Sequence, residues 1–390
     1  MTTILTGLNI AGLILALFFI TLILSKKHKQ VHDYLLSFFI LLLGNFLVVK
    51  YVFQYDLYNS YPIIVYIDIC YWVLLGPTLY IYTLVITRGE NHLRINYLYT
   101  LIPAILVILC FSGYIFGTPT DLFNNWESPT MTVLIGRYIW FWNSPFFYLL
   151  TILAIRKHQK SIKDHFSYLK SVDLNWLYYL SHGFAIFILF LLVRGILYSV
   201  FGWEFPFGNY GISLVAVFMY IFGIGFYGYK QRGIFDNSTI IDDQNKIQNL
   251  PEISDMKDDR NHQSYQKSGL NNEEALQILS KLKSLMVKEE PYLESELHLS
   301  ELAAMVDVST HKLSQVINES LHKNFFDFVN EYRIEKVKDF LSNPGYNQLK
   351  IVSLAYDSGF SSKSTFYTLF KKSEGITPVE YRKKNQRLPT

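Results

Sequence analysis

Seven apolar stretches, each long enough to cross a bilayer, dominate this chain up to Tyr229: Ile4–Leu24, Tyr34–Phe53, Tyr61–Ile86, Tyr97–Phe116, Met131–Ile155, Tyr178–Phe201 and Asn209–Tyr229. A bilayer helix needs roughly 20 such residues, because hydrocarbon leaves backbone N–H and C=O groups only one another as partners. That requirement points to an all-α fold for this half. Composition agrees once the chain is divided. Charged residues make up 17% of the 390, against about 25% in an average soluble protein. The shortfall lies before Lys230; beyond it the chain reads as ordinary soluble protein. Cys70 and Cys110 each sit inside an apolar run without metal-ligand spacing, so they read as small buried hydrophobes.

The loops orient the helices. Ser25–Asp33 holds Lys26, Lys27 and Lys29, Thr87–Asn96 holds Arg88 and Arg94, and Arg156–Leu177 holds Arg156, Lys157, Lys160, Lys163 and Lys170. The last span runs into Lys230 and Arg232, whereas Gln54–Ser60, Gly117–Thr130 and Gly202–Gly208 contain neither Lys nor Arg. Basic loops stay in the cytoplasm. The expectation is a multi-pass protein of the inner (cytoplasmic) membrane, with its N-terminus outside and everything after Tyr229 inside. The first span has its Lys cluster behind it and not ahead of it, which favours a retained helix over a signal peptide. The third basic loop interleaves Phe166, Leu169, Leu174, Trp176 and Leu177 with Lys163 and Lys170. It reads equally as an amphipathic helix on the inner membrane face and as an extension of the sixth span.

Ionisable residues within spans are costly and tend to mark function. Lys50, Asp68, Arg137 and Arg194 fall in the outer parts of four different helices. Asp68 is expected to neutralise Arg137 or Arg194, leaving an excess of positive charge. One reading is a ligand-binding pocket for an anionic or carboxylate-bearing small molecule. The other is a structural ion pair with snorkelling side chains, Lys50 foremost.

The chain divides into a transmembrane domain (1–235), a polar linker (236–270) and a C-terminal domain (271–390). The linker carries acidic pairs at Asp242-Asp243 and Asp258-Asp259 and no helix or strand period, as a tether would. Asn271 and Glu274 have the spacing of an N-cap and its third helical residue. Leu276, Leu279, Leu282 and Met286 then follow as a helical stripe. That stripe suits packing on the rest of the C-terminal domain, or pairing with a second copy in a homodimer.

Two helix-turn-helix patterns come next. In Leu299–Ile317, Leu302 and Val306 face inward, Ala303 is the small residue at the helix crossing, and Asp307 occupies the turn, a position that Asp tolerates. Ser309 is placed to cap the second helix, with Val308, Leu313 and Val316 holding it. The pattern repeats with Leu354, Ala355, Ser358, Gly359 and Phe360, a cap at Ser361 or Ser362, and Phe366, Leu369 and Phe370 buried. The second turn is one residue longer: Ala303 to Leu313 is ten steps, Ala355 to Phe366 eleven. Phe325, Phe328, Val329, Tyr332, Ile334, Val337, Phe340 and Leu341 mark a long helix between the units, stopped by Asn343-Pro344-Gly345. Thr377-Pro378-Val379-Glu380 opens a last helix.

The run Ile351, Leu354-Ala355, Gly359-Phe360-Ser361, Ser364, Phe366, Phe370-Lys371-Lys372, Gly375-Ile376-Thr377-Pro378, Tyr381-Arg382 resembles the signature of AraC-type transcriptional regulators. His311-Lys312-Leu313-Ser314, Ile317-Asn318, Asn324-Phe325 and Tyr332-Arg333-Ile334 fit the same family. The resemblance covers about residues 275–385. More loosely, the seven apolar helices resemble those of a membrane-anchored bacterial subgroup. The resemblance implies two helix-turn-helix units bridged by one helix, with double-stranded DNA as partner. By family position the base-reading residues are His311, Ser314 and Gln315 in the first recognition helix, and Lys363, Ser364, Tyr367 and Thr368 in the second. Lys371, Lys372 and Arg382 are candidates for phosphate contact, as are Lys383, Lys384 and Arg387, although the last few also read as a solvated tail.

The leading function is a membrane-bound, sequence-specific DNA-binding transcriptional regulator that responds to a signal at the membrane. The alternative is a membrane transporter or enzyme whose helix-turn-helix is an accessory domain that binds protein. That alternative requires convergent ionisable residues together with a metal, nucleophile or phosphate motif, and no such motif accompanies them. No enzymatic activity, cofactor or metal is therefore expected; the expected partners are DNA, membrane lipid and an unidentified signal.

Overall fold

The computed structural model describes residues 2–55, 57, 60–90, 92–115, 130–169, 172–202, 208–231 and 270–386. The expected linker from Asp236 to Gly269 lies outside the described residues. The chain forms two compact units, one comprising Met1–Lys157 and Leu174–Asp236, the other His158–Asp173 and Asn237–Thr390. Secondary structure among the described residues is helical, with an isolated antiparallel bridge between Phe166 and His298.

In the first unit the apolar stretches are helices: α1 (Thr2–Leu24), α2 (Val31–Gln54), α3 (Pro62–Arg88), α4 (Ile102–Ile115), α5 (Met131–Ser161), α6 (Asn175–Phe201) and α7 (Gly208–Lys230). A 3-10 turn, Ile95–Leu101, leads into α4. Six stretches among the described residues are long and apolar enough to cross a membrane. Helix α6 runs for 27 residues, but its described apolar part, Asn175–Phe190, is shorter. Large apolar side chains such as Ile14, Leu17, Leu109 and Trp142 lie open on the outside of this unit. A water-soluble bundle would cover such a surface, whereas lipid does not require it.

The second unit contains α8 (Asn272–Lys288), α9 (Leu299–Val306), α10 (Thr310–Leu321), α11 (Phe325–Ser342), α12 (Ile351–Asp357), α13 (Lys363–Glu374) and α14 (Pro378–Gln386). Side-chain caps set the helix starts by satisfying orphan N–H groups. Asn271 accepts from the Glu274 N–H at 2.6 Å, Ser309 from Lys312 at 3.3 Å and Asn324 from Asp327 at 2.8 Å. At α14 the Thr377 N–H donates to the Glu380 carboxylate at 2.8 Å, and the Glu380 N–H returns to the Thr377 hydroxyl at 3.3 Å.

Helix α11 divides the apolar core. Its Phe325, Phe328 and Val329 join α8, α9 and α10 in one cluster. Its Ile334, Val337 and Leu341 join α12 and α13 in another, around Ala355, Phe360, Phe366 and Phe370. Helix α8 thus packs on the first helix-turn-helix. The face it buries is Ala275, Ile278, Leu282 and Met286, whereas Leu276, expected inside, is 66% exposed. An inward residue at 278 sets a stripe that runs 275, 278, 282, 286, which leaves 276 on the far side.

The third basic loop departs in part from both sequence expectations. Trp176 and Leu177 belong to α6, which begins at Asn175, ahead of the expected span, but the described residues between α5 and Asn175 form neither an interfacial helix nor a continuation of α6. Helix α5 ends at Ser161, a short 3-10 turn spans Ile162–Asp164, and Phe166 pairs with His298 in the second unit. The apolar residues at 162, 166 and 168 are buried against protein, which accounts for their alternation with charge.

Candidate nucleic-acid interface

Each helix-turn-helix turn is built by residues with little conformational choice. Asp307 ends α9 at φ 62°, in the left-handed region, where a short polar side chain is tolerated. In the second unit Gly359 takes φ 89°, and a Cβ there would lie 2.2 Å from the Tyr292 carbonyl oxygen. Glycine is therefore required at this turn by backbone angle and by space. Ala303 and Ala355 are buried where the paired helices cross. Ser362, and not Ser361, caps α13.

This scaffold presents α10 and α13 with their first turns outward. On α10, His311 is exposed while Ser314 and Gln315 are half-buried. Asn318 donates to the Ser314 hydroxyl at 3.3 Å, and the Gln315 amide nitrogen reaches both Glu319 oxygens at 3.2 Å. The Gln315 amide oxygen is left without a partner. Lys312 donates to Glu274 of α8 at 2.6 Å, which neutralises the cation beside this helix.

On α13, Lys363, Ser364 and Thr368 are exposed and Tyr367 is half-buried. The Lys363 ammonium sits 5.7 Å from the Tyr367 ring centroid, and the Ser364 hydroxyl shares a 2.8 Å hydrogen bond with Ser362. Lys371 and Lys372 are exposed at the end of the helix. Arg382 turns back toward the fold: it donates to the Leu349 carbonyl at 2.9 Å, and burial lowers its pKa. The two units thus differ. The first offers amide and imidazole groups flanked by Glu274 and Glu319, while the second offers exposed ammonium groups.

In the other unit, the Lys50 ammonium rests near the rings of Phe46 and Phe53, at 5.2 and 5.9 Å. The Lys50 charge reaches Asp68. Arg137 is half-buried on α5; Arg194 lies on α6, with its side chain outside the described residues. Near Asp68, Tyr71 lines an apolar cavity of about 760 Å³ together with Asn45, Leu41 and Leu74.

Arg333, which the sequence offered only as part of the family pattern, is 1% exposed. Its signal was present: Phe326, Asn330 and Arg333 repeat at i, i+4, i+7 on a face of α11 distinct from the apolar one.

Comparison with known proteins bears on this second unit. Residues 302–384 match the model of the helix-turn-helix domain family. Over 93 residues the chain is 38% identical to an uncharacterized HTH-type transcriptional regulator of Staphylococcus aureus strain COL and to another of strain N315. Over 93 residues it is 29% identical to the uncharacterized HTH-type transcriptional regulator YtdP of Bacillus subtilis strain 168. Each alignment covers 24% of this chain and 12% of the relative. No solved structure matches the chain. The likeness therefore concerns one domain, and the C-terminal part of this chain is an AraC-type helix-turn-helix domain that follows a series of apolar helices.

Proposed function

We propose that the chain is a membrane-tethered transcriptional regulator that binds specific DNA sequences and responds to a signal at the membrane. The observation that carries the reading is the tandem of capped helix-turn-helix units, with α10 and α13 presenting polar first turns, in a chain whose other unit is built of long apolar helices. Recognition helices of this kind enter the major groove by their N-terminal residues. His311, Ser314 and Gln315 on α10, and Lys363, Ser364, Tyr367 and Thr368 on α13, then read base edges. Lys371 and Lys372 supply phosphate contact, with Arg382 held back near the same end. The asymmetry supports a reading in which most of the salt-dependent affinity comes from the second helix-turn-helix and Gln315, whose side chain can pair with an adenine edge, supplies amide readout.

The distribution of Lys and Arg supports an N-terminus outside and a helix-turn-helix domain in the cytoplasm. The signal is an anionic small molecule received among Lys50, Asp68, Arg137 and Arg194, whose charges recur in four helices. The test uses the full chain in lipid nanodiscs, challenged with genomic DNA fragments in a gel shift. The expected result is retention of a subset of fragments at low salt, with affinity falling steeply as salt rises. Absence of retention at low salt would overturn the reading.

A further inference from the structure

Residues 158–173 connect α5 to α6, yet they belong to the compact unit of the helix-turn-helix domain. The contact is built like an internal strand pairing. The Ser167 N–H donates to the Leu297 carbonyl at 3.2 Å, and the Leu299 N–H donates to the His165 carbonyl at 3.0 Å. Leu299 is the first residue of α9, so its N–H is one of the donors that a helix start leaves without an intrahelical partner. The loop therefore completes the N-terminus of the first helix-turn-helix. Phe166, Tyr168 and His298 close over this pairing, with ring centroids 4.9 to 5.7 Å apart. At the base, the His158 ring meets the Val172 carbonyl at 2.8 Å and Gln159 donates to the Asp173 carbonyl at 2.9 Å.

Arg333 is the receptor for this segment. A guanidinium has five N–H donors, and here each has an acceptor. Nε donates to the Tyr292 carbonyl at 2.7 Å. Nη1 donates to the Ser167 carbonyl at 3.0 Å and to the Asn330 side chain at 3.3 Å. Nη2 donates to the Ser167 hydroxyl at 3.1 Å and to the Glu294 carbonyl at 2.5 Å. Asn330 adds a 3.1 Å bond to the same Ser167 carbonyl. Burial lowers the Arg333 pKa to about 10, so at neutral pH the site holds a buried cation. Removing Ser167 would strip two of its five partners, and a buried charge without its hydrogen bonds is strongly unfavourable.

We propose that residues 162–168 are a docking segment for the helix-turn-helix domain, received at Arg333. Through it the first helix-turn-helix is coupled to α5 and α6, independently of the 236–270 connection. The coupling has a regulatory use only on the reading given above, but the docking itself does not depend on DNA. The segment follows α5 without a break, so a displacement of that helix pulls directly on the strand that caps α9.

The test uses the full chain in native membranes, with Cys70→Ser and Cys110→Ser as background. Phe166 and His298 are opposed between the two backbone hydrogen bonds, the closely spaced kind of antiparallel pair whose Cα separation suits a disulfide. Phe166→Cys with His298→Cys should form an intramolecular disulfide on mild oxidation, read as protection of both thiols from alkylation. Phe166→Cys with Thr368→Cys should not. Free thiols in the first pair would overturn the docking. Ser167→Pro removes both the N–H that meets Leu297 and the hydroxyl that meets Arg333 Nη2, and it lies outside both helical cores. It should speed hydrogen exchange in α9 and α10 by at least about tenfold, as loss of one neutral hydrogen bond and one to a buried cation would, and leave α13 unchanged. Unchanged exchange in α9 and α10 would remove the coupling. A disulfide that forms in a protein retaining no DNA would keep the docking and defeat the regulator reading; DNA retention with free thiols would do the reverse.

Discussion

Gly359→Ala should loosen the whole second unit by an amount that the local geometry sets. At φ 89° the new side chain would sit in a conformation unfavourable to L-residues, at a cost of about 1–2 kcal/mol. Its Cβ would also lie 2.2 Å from the Tyr292 carbonyl oxygen, 2.9 Å from the Arg333 Nε and 3.0 Å from the Leu293 carbonyl carbon. Two of these are backbone atoms, which cannot rotate away. Overpacking of this kind costs about 1–3 kcal/mol. The sum, about 2–5 kcal/mol, is a large part of the 5–15 kcal/mol that holds a typical domain. Hydrogen exchange of α11 in the full chain reads the loss directly. The slowest amides should exchange roughly 30- to several-thousand-fold faster. Gly375→Ala is the matched control. Gly375 also has positive φ, 72°, but its Cβ would meet nothing within 4 Å, so only the backbone cost of about 1–2 kcal/mol remains. Equal effects from the two substitutions would refute the steric argument.

Ala355→Glu should abolish DNA retention by the full chain, because the position is fully buried where α12 meets its neighbours and a carboxylate there has no partner. Gln315→Ala should cost roughly 1–3 kcal/mol on the preferred site and relax specificity at one base pair. Lys363→Ala should likewise relax specificity locally, whereas Lys371→Ala should weaken all sites and flatten the salt dependence, as compared in gel shifts at two salt concentrations. Burial holds the pKa of His298 below the ordinary 6.5, opposed by Glu301 and Glu296. Its neutral form is thus favoured in the docked state, and docking is fully stable above pH 6.5 and weakens as pH falls through the lowered value. Hydrogen exchange in α9 of the unsubstituted full chain, corrected for the intrinsic pH dependence of exchange, should show less protection at pH 5 than at pH 7.5. A reporter that folds only outside the membrane should be active when fused after Tyr58 and inactive after Tyr229; reversed activities would contradict the topology.

Local chemistry was readable from the sequence. The caps at Asn271, Ser309 and Thr377, the left-handed turn at Asp307 and the crossing residues Ala303 and Ala355 each follow from a rule spanning a few residues, and the structure has them as read. What escaped depends on partners distant in the chain. The burial of Leu282 and Met286 was legible, but whether Leu276 or Ile278 shared their face depended on where α9 and α10 lie. The interleaving of Phe166 and Leu169 with Lys163 and Lys170 satisfies an interfacial helix and a docked strand equally well, and the partner that holds the segment, Arg333, lies more than 160 residues on.

Genome-wide crosslinking of the tagged full chain to DNA in its own cells tests the central claim most directly. A membrane-tethered regulator predicts discrete enriched sites that share a sequence motif, recovered with the membrane fraction and lost in the Ala355→Glu variant. Uniform recovery of DNA, or enrichment that survives Ala355→Glu, would contradict it.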